Sequence, residues 1–101
     1  MCNFEVQFHP HFEKLNYNLI KINHTLFEPY QNLANISLYR KDTLQATVFF
    51  LRAFENGMSN TSLAKGIQEY LIKNGYENNA KKYDTYLHTP TISSDAIKYT
   101  P

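Results

Sequence analysis

Apolar positions along this chain change their spacing from one segment to the next. Phe4, Val6 and Phe8 alternate with Glu5 and Gln7, the period of a short strand or extended arm. Pro10 closes that arm and suits the first helical residue, where its missing N–H costs nothing. Phe12, Leu15, Leu19, Ile22 and Leu26 then recur at spacings of three and four, so one apolar stripe on a helix is predicted. Ile20 and Phe27 widen the stripe, and Pro29 interrupts it. Tyr30, Leu33 and Ile36 predict one more short helical face.

The next segment is apolar almost all round. Asp42 is a good N-cap, and Gln45 three residues on fits a capping box. The run LQATVFFLRAF follows, and polar positions are almost absent from residues 46–51. A helix over 43–55 is therefore expected to be the most buried of the molecule, with Leu51 at its heart. Gly57 stops it, and Met58 supplies the apolar residue of a Schellman-type end.

Ser59 or Thr61 then offers a cap for another helix. Its buried face is read as Leu63, Ile67, Tyr70 and Leu71, with Lys65, Gln68, Glu69 and Lys73 pointing away. KNGY at 73–76 repeats the Asn-Gly-apolar stop of ENGM at 55–58. Tyr76, Ala80, Tyr83 and Leu87 predict a weaker last helix, and residues 88–101, with two prolines, read as a loose tail. The fold class expected is all-α: a compact bundle of four to five helices with a short extended N-terminal segment. Nothing resembles a linker, so a single helical domain over residues 1–101 is predicted. A lone strand leaves its backbone groups without partners. The arm at 4–8 is thus expected to pair with the tail, where Ile97 and Tyr99 alternate, or with its own copy in a second chain, forming a homodimer.

Composition narrows the function. The apolar fraction is 43%, sufficient for a core and too high for a disordered chain. Ten Lys and Arg face nine Asp and Glu, a formal net charge of +1, which argues against a dedicated nucleic-acid binder. Cys2 is the sole cysteine, so neither an internal disulfide nor a cysteine-based zinc site is available within one chain. The opening MCNFEVQFHPHFEK lacks a basic start followed by an apolar run, and no apolar stretch is long enough to span a bilayer. A cytoplasmic protein without membrane association is expected. The Asn, Lys, Ile and Tyr bias would suit an AT-rich bacterial or phage genome.

Candidate chemistry is sparse. His9 and His11 flank Pro10 and could begin a metal site with His24, His88 or Glu13, but two solvated His beside a helix start explain the same residues. No Gly-rich phosphate loop occurs, and Cys2 stands at a terminus expected to be a poor place for a nucleophile that must be oriented. No catalysis, cofactor or metal is expected.

Residues 52–67, RAFENGMSNTSLAKGI, carry a more specific pattern. A small Ala53, a Gly57 suited to positive φ, an apolar Met58 and then Leu63 follow at the spacing of a helix-turn-helix elbow. In this stretch the chain resembles the bacterial repressor-type helix-turn-helix. The resemblance implies a DNA-binding regulator using 52–73, with Asn60, Thr61, Ser62, Lys65 and Gln68 toward bases and phosphates. Arg52, Asn56 and Gly66 depart from it, standing where the family buries apolar side chains.

Tyrosine gives the leading expectation. There are eight, at modest net charge. Tyr70, Tyr76 and Tyr83 fall on the stripes read as buried. Tyr17, Tyr30, Tyr39 and Tyr86 fall off them or at element ends, as does Tyr99. Tyr buries much area while keeping one polar end, which suits a protein interface. The first expectation is thus a protein-binding module of inhibitor, immunity or adaptor type using Tyr17, Tyr30, Tyr39 and Tyr86. The second is the helix-turn-helix regulator.

Overall fold

The structure is a computed structural model that describes residues 10–87. The described residues are all-helical, with five α-helices and one short 3₁₀ turn. The arm at 4–8 and the tail at 88–101 lie outside them. The chain divides into two compact units, one up to Met58 and one from Ser59.

The first unit holds α1 (Pro10–Ile22), α2 (Glu28–Tyr39) and α3 (Thr43–Glu55). Pro10 does begin α1. The helix ends at Ile22, short of the predicted stripe, because Asn23 folds into a turn in which its Oδ1 accepts from the Thr25 N–H at 3.0 Å. The face of α1 also differs from the predicted one. Its buried residue is Asn16, 1% exposed, whereas Leu15 is 52% and Ile22 80% exposed. Asn16 stands one residue past Leu15, so the packed face is turned by about 100° from the Leu15 edge of the apolar stripe.

The second helix is longer than the short face predicted after Pro29. Proline in the first turn keeps a helix rather than breaking it, since its N–H would be unpaired there anyway. Pro29, Leu33, Ala34, Ile36 and Ser37 are buried. The helix ends in a paired turn in which Asp42 N–H donates to Ser37 C=O at 2.8 Å and Lys41 N–H to Leu38 C=O at 2.9 Å. Lys41 takes the left-handed position, φ 64°, that glycine usually fills.

In α3 the Asp42 carboxylate accepts from the Gln45 N–H at 3.2 Å, as the cap predicts. Ala46, Thr47, Phe50, Ala53 and Phe54 are buried. The helix is not enclosed all round: Val48 is 42% exposed, Leu51 is half-buried, and Arg52 pairs with Glu55 at 3.2 Å on its outer side. By buried residues it matches α2 rather than exceeding it. Three of its turns suffice to bury one face, so an apolar run can spend its remaining positions at the surface. α2 packs on α3 and α1 on α2.

Both Asn-Gly stops have the predicted form. Met58 N–H donates to Ala53 C=O at 3.0 Å and Gly57 N–H to Phe54 C=O at 3.1 Å, with Gly57 at φ 107°. Tyr76 and Gly75 repeat this on Leu71 and Ile72, with Gly75 at φ 86°.

The second unit holds α4 (Thr61–Lys73), α5 (Glu77–Lys81) and the 3₁₀ turn Asp84–Tyr86. Asn60, not Ser59 or Thr61, caps α4, its Oδ1 accepting from the Leu63 N–H at 3.0 Å. Ala64, Ile67 and Leu71 are buried in α4, and Tyr70 is half-buried. The last predicted helix is divided into α5 and the turn. Ala80 and Tyr83 are buried there, whereas Tyr76, expected on that stripe, is 40% exposed as the N-cap residue of α5.

Candidate functional site

The first unit carries an open cleft of about 400 Å³. α1 contributes Glu13 and Tyr17, four residues apart and so on one face. α2 contributes Leu33 and Ser37 by the same spacing. Arg40 and Asp42 come from the turn that ends α2, and Gln45 and Phe49 from α3.

Glu13 and Arg40 are held in a two-bond pair, Arg40 donating to the two carboxylate oxygens at 2.9 and 3.0 Å. Parallel bonds of this kind fix direction as well as charge. The pair spans 27 residues of chain and ties α1 to the end of α2. Glu13 hydrogen-bonding raises the Arg40 pKa above its already high value, so the guanidinium stays charged throughout the working pH range. Tyr17 meets Phe49 edge to face, with ring centroids 6.3 Å apart and planes at 66°. Ser37 is 7% exposed, and its hydroxyl has no hydrogen-bond partner among the described residues. The cleft thus combines one neutralised ion pair, one further carboxylate on Asp42, an unpaired buried hydroxyl and two aromatic rings.

Of the four tyrosines named for partner binding, Tyr30 and Tyr39 do not share a helix face. Tyr17 is 44% and Tyr39 48% exposed, while Tyr30 and Tyr86 are half-buried. Tyr30 and Tyr39 stand nine residues apart on α2, which places them about 180° apart around the helix and roughly 13 Å apart along it. Tyr86 belongs to the second unit. Of the four, Tyr17 alone lines the cleft.

The residues named for DNA contact have mixed positions in the second unit. Ser62 and Lys65 are exposed, and Thr61 is half-buried. Asn60 spends its side-chain oxygen on the α4 cap. Gln68, expected to point away, is half-buried and donates to Ala80 C=O at 2.9 Å and to Asp84 Oδ1 at 2.6 Å. It holds α5 and the 3₁₀ turn against α4. Asn56, a departure from the helix-turn-helix pattern, donates to His24 C=O at 2.8 Å and so pins the loop after α1 to the end of α3.

For a metal, His11 and His24 are exposed and Glu13 is committed to Arg40, with His9 and His88 outside the described residues. No group of three His, Cys, Asp or Glu among the described residues could hold one. Among the same residues, no helix is long and apolar enough to cross a membrane.

Sequence reasoning named Tyr17 and the Asp42 cap, both of which line the cleft, but not the Glu13–Arg40 pair or Ser37. The Glu13–Arg40 pairing is long-range and leaves no local spacing to read. Comparison of the chain with protein-family models, with curated proteins and with solved structures finds no match in any of the three.

Proposed function

We propose that this chain works by binding another protein, with the cleft around Tyr17 as the contact surface. The observation that carries the reading is Tyr17 itself: half-exposed, steadied by Phe49, and set over a cleft of polar groups. A rigid aromatic residue beside a polar cavity loses little conformational freedom on binding and buries much area. The association is steric, of inhibitor, immunity or adaptor type, in the cytoplasm and without catalysis, metal or cofactor. A second copy of the chain is a further candidate for association through the arm at 4–8.

The helix-turn-helix reading is retained second, because Gly57 makes the turn at positive φ and Lys65 and Ser62 are exposed beyond it. It loses Gln68 to its bonds with Ala80 and Asp84, and Asn60 to the cap. The test compares capture of protein from lysate of the native cells with titration of labelled random duplex. A protein retained by the wild type and by Lys65→Ala, and lost with Tyr17→Ala, supports the proposal. Duplex binding at micromolar or tighter affinity that weakens with salt and falls in Lys65→Ala would replace it with the regulator.

A further inference from the structure

We infer that the cleft receives a basic side chain, an arginine or lysine, of the partner protein. The inference rests on the protein-binding reading and assigns the chemistry of its central contact.

Charge sets the sign. Arg40 has both terminal nitrogens on Glu13, and Glu13 has both oxygens on Arg40, so that pair presents little net charge to a ligand. Asp42 remains as the uncompensated group. One of its oxygens accepts the Gln45 N–H, and the other has no hydrogen bond among the described residues. An anion finds no vacant cation among the described residues that line the cleft, and the start of α3, which would otherwise attract one, already has a carboxylate on it.

Ser37 supplies the second, independent sign of a ligand. A serine inside a helix usually turns its hydroxyl to the carbonyl one turn back or to water. The Ser37 hydroxyl makes no hydrogen bond to any described residue, and Ser37 is more than nine-tenths buried at the wall of the cleft. Leaving such a group unpaired is unfavourable, and an N–H donor entering the cleft would satisfy it.

The remaining wall suits a cation on a flexible stem. Tyr17 and Phe49 line it with aromatic rings, a residue type that attracts ammonium and guanidinium groups, and Leu33 offers packing for methylenes. A volume of about 400 Å³ lies within the range of pockets that enclose groups of this size. A carboxylate side chain would meet Asp42, and an apolar one would leave Asp42 and Ser37 unpaired.

The test titrates the isotopically labelled chain with N-acetyl-Gly-Arg-Gly-amide, its lysine counterpart, and matched norleucine and glutamate peptides. Backbone amide shifts of Ser37, Gln45 and Phe49 are followed. The basic peptides are expected to bind saturably with shifts at these three residues, and the other two not to bind. Asp42→Asn keeps the helix cap, because Asn caps as well as Asp. It should weaken the arginine peptide about tenfold or more, the effect of losing a hydrogen bond to a charged group. Ser37→Ala should weaken it less. Equal binding of the glutamate or norleucine peptide, or undiminished affinity in Asp42→Asn, would overturn the assignment. Free arginine amide binding as tightly as the peptide would make the occupant a small molecule and overturn the partner assignment. No shift with any peptide, with Tyr17-dependent capture intact, would remove this inference and leave the protein-binding reading standing. Peptide binding without Tyr17-dependent capture would remove the protein-binding reading and overturn the assignment of the side chain to a partner protein, leaving only a cation-binding cleft.

Discussion

Asn32 donates its side-chain amide to Oδ1 of Asn16 at 3.0 Å, and Asn16 donates its own amide to Phe12 C=O at 2.8 Å. The most buried position of α1 is thereby polar, and it is satisfied on both sides. Buried amides of this kind specify the register of two helices, because sliding either helix leaves them unpaired. Replacing Asn16 by Ala removes the acceptor and opens a small void, and should cost about 2 kcal/mol. Asn32→Ala should cost less, since Asn32 is only half-buried. Urea unfolding of both variants and the double variant should give a coupling of about 0.5–1.5 kcal/mol. Additive losses would mean that the pair does not hold α1 on α2.

Lys41 occupies a left-handed position at φ 64°. Its side chain gains nothing there that glycine would lose in backbone terms. Lys41→Gly is expected to raise stability by about 0.5–1 kcal/mol, after allowing for the extra freedom of glycine in the unfolded chain. Gly57→Ala, at φ 107°, should lower it by about 1–2 kcal/mol. Thermal melts of the two variants check the pair. A stabilised Gly57→Ala would contradict the turn geometry.

The centre of α3 is Phe50, 5% exposed, rather than the half-buried Leu51. Phe50→Ala should cost about 3–4 kcal/mol and Leu51→Ala about 1–2 kcal/mol. Equilibrium denaturation distinguishes them. A larger loss at Leu51 would place the core on the other side of the helix.

In the second unit, Gln68→Ala takes away the donor to Ala80 C=O and Asp84 and should cost about 1 kcal/mol. Lys65→Ala, at an exposed position, should stay within about 0.5 kcal/mol. Hydrogen exchange at Ala80 and Tyr83 should quicken in the first variant and not in the second. Unchanged exchange in Gln68→Ala would mean that the side chain is not a tie.

Local signals were legible in the sequence, and long-range ones were not. The Asp42 cap, the first-turn Pro10 and the two Asn-Gly stops depend on residues within a few positions of one another, so spacing alone reveals them. The burial of Asn16 was hidden, because periodicity assigns a polar residue to the surface and cannot see Asn32 sixteen residues away. The end of α1 was hidden by an Asx turn that overrides four more residues of apolar spacing. The candidate site was half legible. Tyr17 stood out by composition, while the Glu13–Arg40 pair and a Ser37 hydroxyl without a partner among the described residues emerge only once the helices have met.

The most direct test of the central claim is photo-cross-linking in lysate of the native cells, with a benzophenone side chain at position 17 in one variant and at position 65 in another. The account predicts one protein joined to position 17, attached next to an arginine or lysine of that protein, and no specific product from position 65. A specific product from position 65 together with none from position 17 would contradict it.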